Sequence, residues 1–143
     1  MNLQYGIKIE SNLEKVEKEL EKTIEKALYV MGIKAVEGAT DAISGKYSIN
    51  SAVDTGRLRA SISFITPTQK GDSGKVEANS KGEDKLYGKA EENTVVVGSN
   101  VEYAEYVHNG TSRMDGRPFL REGIDQTKDK MQEQVTKVFK GEL

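Results

Sequence analysis

A single histidine, His108, stands in a chain of 143 residues, with Glu102 and Glu105 a short way before it. An imidazole within reach of a carboxylate is the usual core of a general base. The groups that would complete a reaction centre, a nucleophile and a pair of oxyanion donors, are missing from its neighbourhood. The chain has no Gly-rich phosphate loop ending in Lys-Ser/Thr, no His-Glu-x-x-His pair and no Gly-x-Ser-x-Gly elbow. It has no cysteine, which removes disulfides, thiolate metal sites and a cysteine nucleophile. His108 is therefore read as a partly buried or surface residue beside a turn. No catalytic, cofactor-binding or metal-ligating set is assigned, and the chain is expected not to be an enzyme.

The second chemistry on offer is anion recognition. Arg57, Arg59, Arg113, Arg117 and Arg121 could grip phosphates, and Tyr103 and Tyr106 could stack on bases. A phosphate-gripping surface normally brings a basic excess, and the net charge here is −2. Arg57 and Arg59 are read instead as salt-bridge partners near a turn. The tyrosines are read as core or interface packing.

The elements that would position these residues follow from pattern. Thr94–Val97 is a β-branched run and predicts a strand, ended by Gly98, Ser99 and Asn100. Tyr103, Tyr106 and Val107 fall on one side of a short helix within 101–107. Asn109-Gly110 predicts a tight turn, and Pro118 suits the first turn of a helix. Upstream, Asp54 or Thr55 is the expected N-cap of a short helix through Ala60. Ser61–Thr66 then alternates as a strand, with Ile62 and Phe64 on one face.

Two of these segments resemble a known family. VGSNVEYAEYVHNGTSRMDGRPFL and, before it, VDTGRLRASI are similar to the paired signature of the head–tail joining, or neck, proteins of long-tailed bacteriophages, often labelled minor tail or tail-completion proteins. The matching positions are Asp54, Thr55, Gly56, Leu58, Ser61, Gly98, Tyr103, Ala104, Val107, Gly110, Thr111, Pro118, Phe119 and Leu120. Many relatives carry an acidic residue and an aromatic where His108 and Asn109 stand. The resemblance implies a virion structural part: a homo-oligomeric ring at the neck or capping the tail tube. Its partners would be its own copies and the adjacent head-completion or connector and tail proteins. DNA would be only passing cargo, with no membrane and no small-molecule substrate.

The rest of the chain is consistent with one domain over residues 1–143. Leu3, Tyr5, Ile7 and Ile9 alternate with polar residues or glycine and predict a half-buried strand, able to add to a neighbour's sheet. Ser11–Glu14 is a capping box. A long helix should run from about Asn12 to Ala42, its stripe carried by Leu13, Val16, Leu20, Ile24, Ala27, Leu28, Met31, Ala35, Ala39 and Ala42. Gly32 and Gly38 interrupt it and imply either a bend or close approach of another backbone. Residues 67–93 are polar and Gly-rich, and predict a flexible loop or a hairpin pairing Lys75–Ala78 with Leu86–Lys89. The last helix should run from Pro118 to about Lys140 and stop at Gly141. No apolar run approaches a bilayer span, and the N-terminus lacks a signal-peptide core. The expectation is synthesis in a bacterial cytoplasm and residence in the virion. The fold class predicted is α+β: a small antiparallel or mixed sheet packed against long N-terminal and C-terminal helices, with a flexible polar insert.

Overall fold

In the computed structural model the described residues are 3–8, 18–46, 56–68, 84–86 and 88–143. The fold is α+β. Three strands, β1 (Leu3–Lys8), β2 (Ser63–Ile65) and β3 (Thr94–Ser99), form one antiparallel sheet in the order β1-β3-β2. Among the described residues four helices accompany it: α1 (Lys18–Ile43), α2 (Arg57–Ser61), α3 (Ala104–Asn109) and α4 (Phe119–Phe139).

β3 takes the middle of the sheet because its valines suit burial on both sides. Val95 and Val97 have no exposed surface. β1 pairs along its whole length, from Leu3 opposite Ser99 to Lys8 opposite Thr94. Its alternation of half-buried and exposed side chains is the period-two pattern read from the sequence. β2 is shorter than the Ser61–Thr66 alternation implied. Ser61 closes α2, and all three residues of β2 are buried, so the chain is covered on both faces there.

The helix predicted to start near Asn12 is described from Lys18 to Ile43. The capping box at Ser11–Glu14, the stripe residues Leu13 and Val16, and the proposed strand Lys75–Ala78 lie outside the described residues. From Ile24 to Ala42 the predicted stripe is the core, with Ala27, Ala35, Ala39 and Ala42 fully buried. α1 carries this stripe onto β2 and β3, and α4 lies along α1.

Both internal glycines of α1 mark close approach. A Cβ on Gly32 would strike the ring of Phe64, within 2.6 Å of its Cε2. A Cβ on Gly38 would strike the carbonyl oxygen of Gly123 and lie 2.6 Å from Thr127 Cγ2. The two long helices run antiparallel, because Gly38 meets Gly123 while Lys26 Nζ bonds the carbonyl of Leu143. Small residues at the crossing let the backbones nearly touch. Thr127 tolerates burial because its hydroxyl donates to the Gly123 carbonyl at 2.8 Å.

α4 follows the predicted span. Leu120, Met131 and Val138 are buried, Ile124 and Val135 half-buried, and Phe139 is exposed. Gly141, at φ 75°, ends it as expected. Among the described residues no helix is long and apolar enough to cross a membrane.

Candidate functional site

The fold brings the two signature segments against each other, with the end of the polar insert between them. α2 begins at Gly56, whose φ of 77° is the left-handed region. The cap position is Gly56; the expected caps, Asp54 and Thr55, lie outside the described residues. From that turn Arg57 reaches across the chain. Its Nε and Nη2 donate to Asp84 Oδ2 and Oδ1 at 2.9 and 2.8 Å, a two-pronged grip. Nη1 and Nη2 also donate to the Glu102 carboxylate at 3.1 and 3.2 Å. The guanidinium carbon stands 5.7 Å from the centre of the Tyr103 ring.

The hydrogen bonds to Asp84 and then Glu102 raise the already high pKa of Arg57, so it stays charged. The Glu102 carboxyl is lowered, first by its own backbone N–H and then by Arg57. Arg57 is thus held as an intrachain salt-bridge residue and is not offered to a phosphate. Arg59 is half-buried, Arg113 and Arg121 exposed and Arg117 half-buried.

Behind the ion pairs lies a buried hydroxyl chain. Ser61 Oγ donates to the Leu58 carbonyl, and Ser99 Oγ stands 2.6 Å from Ser61 Oγ. Since the Ser61 proton is committed, Ser99 is the donor of that pair, and it accepts from Val101 N–H at 3.0 Å. Ser63 Oγ donates to the Ser61 carbonyl and accepts from Leu86 N–H. Lys85 Nζ donates to the Ala60 carbonyl at 2.9 Å, and Asn100 N–H donates to the Asp84 carbonyl. These bonds join α2, β2, β3 and Asn100, the residue that follows β3, to one another, to the segment 84–86 or to a signature neighbour.

The end of the insert, which the sequence predicted over 67–93 as a flexible loop or a hairpin, is packed at residues 84–86. Asp84, Lys85 and Leu86 are all buried, and Leu86 has no exposed surface. Sequence reasoning missed Asp84, Lys85 and Ser99. For Asp84 and Lys85 the signal was the adjacent Leu86 and Tyr87, large side chains in a largely polar stretch; Ser99, at the end of the valine run, had none.

The second part of the site is the corner between α3 and α4. α3 runs from Ala104 to Asn109 and turns at Gly110, where φ is 83°. A Cβ on Gly110 would sit 2.6 Å from Gly116 N, so only glycine lets the returning chain close in. Arg117 N–H donates to the Val107 carbonyl at 2.7 Å, and Pro118 then caps α4. Ala104, Phe119 and Leu120 are fully buried, Leu58 nearly so, and Tyr103 and Val107 pack against the core. Thr111 bridges Met114 across a small exposed turn. Tyr106 departs from expectation: it is 58% exposed and does not join Tyr103 and Val107 in packing. Gly98 passes so close to β1 that a Cβ would strike the Leu3 carbonyl.

His108 is buried rather than partly exposed, with 2% of its surface accessible. Its ring lies against those of Tyr5 and Phe119, at centroid distances of 5.3 and 5.4 Å. Nε2 accepts from the Arg121 backbone N–H at 3.4 Å, and Nδ1 faces Asn109 Oδ1 at 2.9 Å. The tautomer with the proton on Nδ1 satisfies both contacts. Burial lowers the pKa of the ring; Asn109 raises it and Arg121 lowers it further. Neither Glu102 nor Glu105 orients the imidazole: Glu102 is on Arg57, and Glu105 is exposed. The nitrogen that would act as a base already accepts a helix N–H.

A protein-family model described as HK97-gp10-like, "Bacteriophage HK97-gp10, putative tail-component", matches residues 7–110. The match takes in the whole first segment and the second as far as Gly110. It stops before Thr111, Pro118, Phe119 and Leu120. No curated protein and no solved structure matches the chain.

Proposed function

The chain belongs to the HK97-gp10-like family of bacteriophage tail components, and from that premise we propose that it is a structural subunit of a long-tailed phage or prophage virion. In this reading it closes a ring at the head–tail connector or neck, or caps the tail tube. The family match over residues 7–110 carries the reading. The signature geometry supports it. Arg57, Ser61 and Ser99 end on each other, on carboxylates or on backbone atoms, while Ala104, Phe119 and Leu120 fill the core. Residues used in this way hold a shape, and a molecule so built works through its surface.

In such a ring DNA is passing cargo, so a chain of net charge −2 without a basic excess is suited to the place. Its partners are copies of itself and the adjoining head-completion, connector and tail proteins. A head-to-tail ring needs two different surfaces that fit each other. β1, an edge strand of the sheet, is the proposed contact on one side. The exposed side chains of Tyr106 and Met114, at the α3–α4 corner, are proposed for the other.

Native mass measurement and electron microscopy test the reading, first on the purified chain and then on mixtures with DNA-filled heads and with tail tubes. Ring-shaped particles of discrete copy number, alone or on either structure, are expected. A chain that stays monomeric at every concentration and binds neither heads nor tubes would overturn it.

A further inference from the structure

Three elements meet on one imidazole: β1 through the Tyr5 ring, α3 through the backbone of His108 itself, and α4 through the Phe119 ring and the Arg121 N–H. The first N–H groups of a helix have no partner within it. Here a neutral ring nitrogen supplies one. The titratable and charged groups facing the ring are Tyr5 from β1 and Arg121 from α4; from α3 it meets only the uncharged amide of Asn109.

We propose that His108 is an acid-released latch between β1 and the first turn of α4. Adding a proton to Nε2 turns an acceptor into a donor that faces another donor, the Arg121 N–H. It also places a positive charge at the positive end of a 21-residue helix, beside the Arg121 side chain. The buried ring cannot turn freely to relieve both effects, because Nδ1–H already donates to Asn109 and the rings of Tyr5 and Phe119 are packed against it, one tilted and one edge-on. Relief comes by moving the ring out, which frees Tyr5 and opens the α4 cap together. Burial of the ring and the nearby Arg121 both disfavour the charged form while the latch is closed, with only Asn109 opposing them.

The test uses the isotopically labelled full chain, titrated from about pH 7.5 to 5, the range in which histidine ordinarily changes charge. At the upper end the imidazole nitrogen shifts should report a proton on Nδ1 and none on Nε2. On acidification, protection of the Arg121 amide from exchange should fall about fivefold to tenfold, the loss of one hydrogen bond. The Tyr5 ring signals should move with the same midpoint. In His108→Gln the side-chain oxygen can still accept from Arg121 N–H but does not titrate, and both readouts should stay flat. The opposite tautomer in the wild-type chain would overturn the proposal. So would Arg121 protection that survives protonation of the ring, a ring that stays neutral until the whole chain unfolds, or the same acid response in His108→Gln.

Discussion

Gly38 and Gly123 meet backbone to backbone where α1 crosses α4, so closely that a Cβ on either would strike main-chain atoms of the other helix. Two helices rarely approach this far unless both give up a side chain at the same level. In a free helix glycine is worse than alanine by roughly 1 kcal/mol. At this crossing the order should reverse. Gly38→Ala or Gly123→Ala is expected to destabilise the fold by about 1–3 kcal/mol, the usual range for an overpacked core. Urea unfolding checks it, and a rise in the midpoint for either variant would show that the crossing has room.

Gly32 makes the same kind of contact with a side chain. A Cβ there runs into the Phe64 ring, which is also held edge-on by Tyr29 at 5.4 Å. Gly32→Ala should be destabilising alone. Combined with Phe64→Leu, which removes the ring, it should cost less than the sum of the two single changes, by an interaction energy of about 0.5–3 kcal/mol. Simple additivity in a double-mutant cycle would mean that the two residues do not share this space.

The two carboxylates on Arg57 are unequal. The Asp84 side chain is 2% exposed, whereas that of Glu102 is 73% exposed. A buried ion that loses its partner keeps its desolvation penalty, and an exposed one is returned to water. Removing Arg57 would strand Asp84 in the interior and return Glu102 to water, so Arg57→Gln should lower the urea midpoint, and adding Asp84→Asn should recover several times more of that loss than adding Glu102→Gln. Equal effects would place the weight of this cluster at the surface.

His108 gives the stability curve a definite sign. Its folded pKa is lowered by burial, so between that value and the unfolded value near 6.5 the unfolded chain binds more protons than the folded one. Stability should rise with pH across this window, be complete above about pH 6.5 and be lost as the pH falls through the folded pKa. His108→Gln should flatten that part of the curve in urea titrations at a series of pH values. An unchanged slope would mean that another group sets it.

The one-dimensional pattern was enough for the α+β class. β1 announced itself by strict alternation, β3 by a run of valines, although the strand runs on through Gly98 and Ser99 where turn formers were expected to end it, and α4 by Pro118 at one end and Gly141 at the other. The alanines of α1 fell where the helical period put them. These features are local, depending on a few neighbouring residues and on one repeat length, and so they survive without knowledge of the fold.

The polar joints were not local. Asp84, Lys85 and Leu86 sit in a stretch whose composition argued for a flexible loop, and they are buried because Arg57, Ala60 and Ser63, 23 to 27 positions earlier, offer them partners. Tyr106 fell on the predicted packing side of α3, yet it faces solvent, since a six-residue helix has too few turns for its period to fix which side meets the core. The alternatives for Gly32 and Gly38, a bend or a close approach, could be separated only by what lies opposite: Phe64 in one case, Gly123 in the other. His108 was read as a residue beside a turn. That its ring closes the first turn of α4 depends on a helix that begins eleven positions later and on a strand a hundred positions earlier, and only tertiary contact brings those three pieces of chain to one nitrogen.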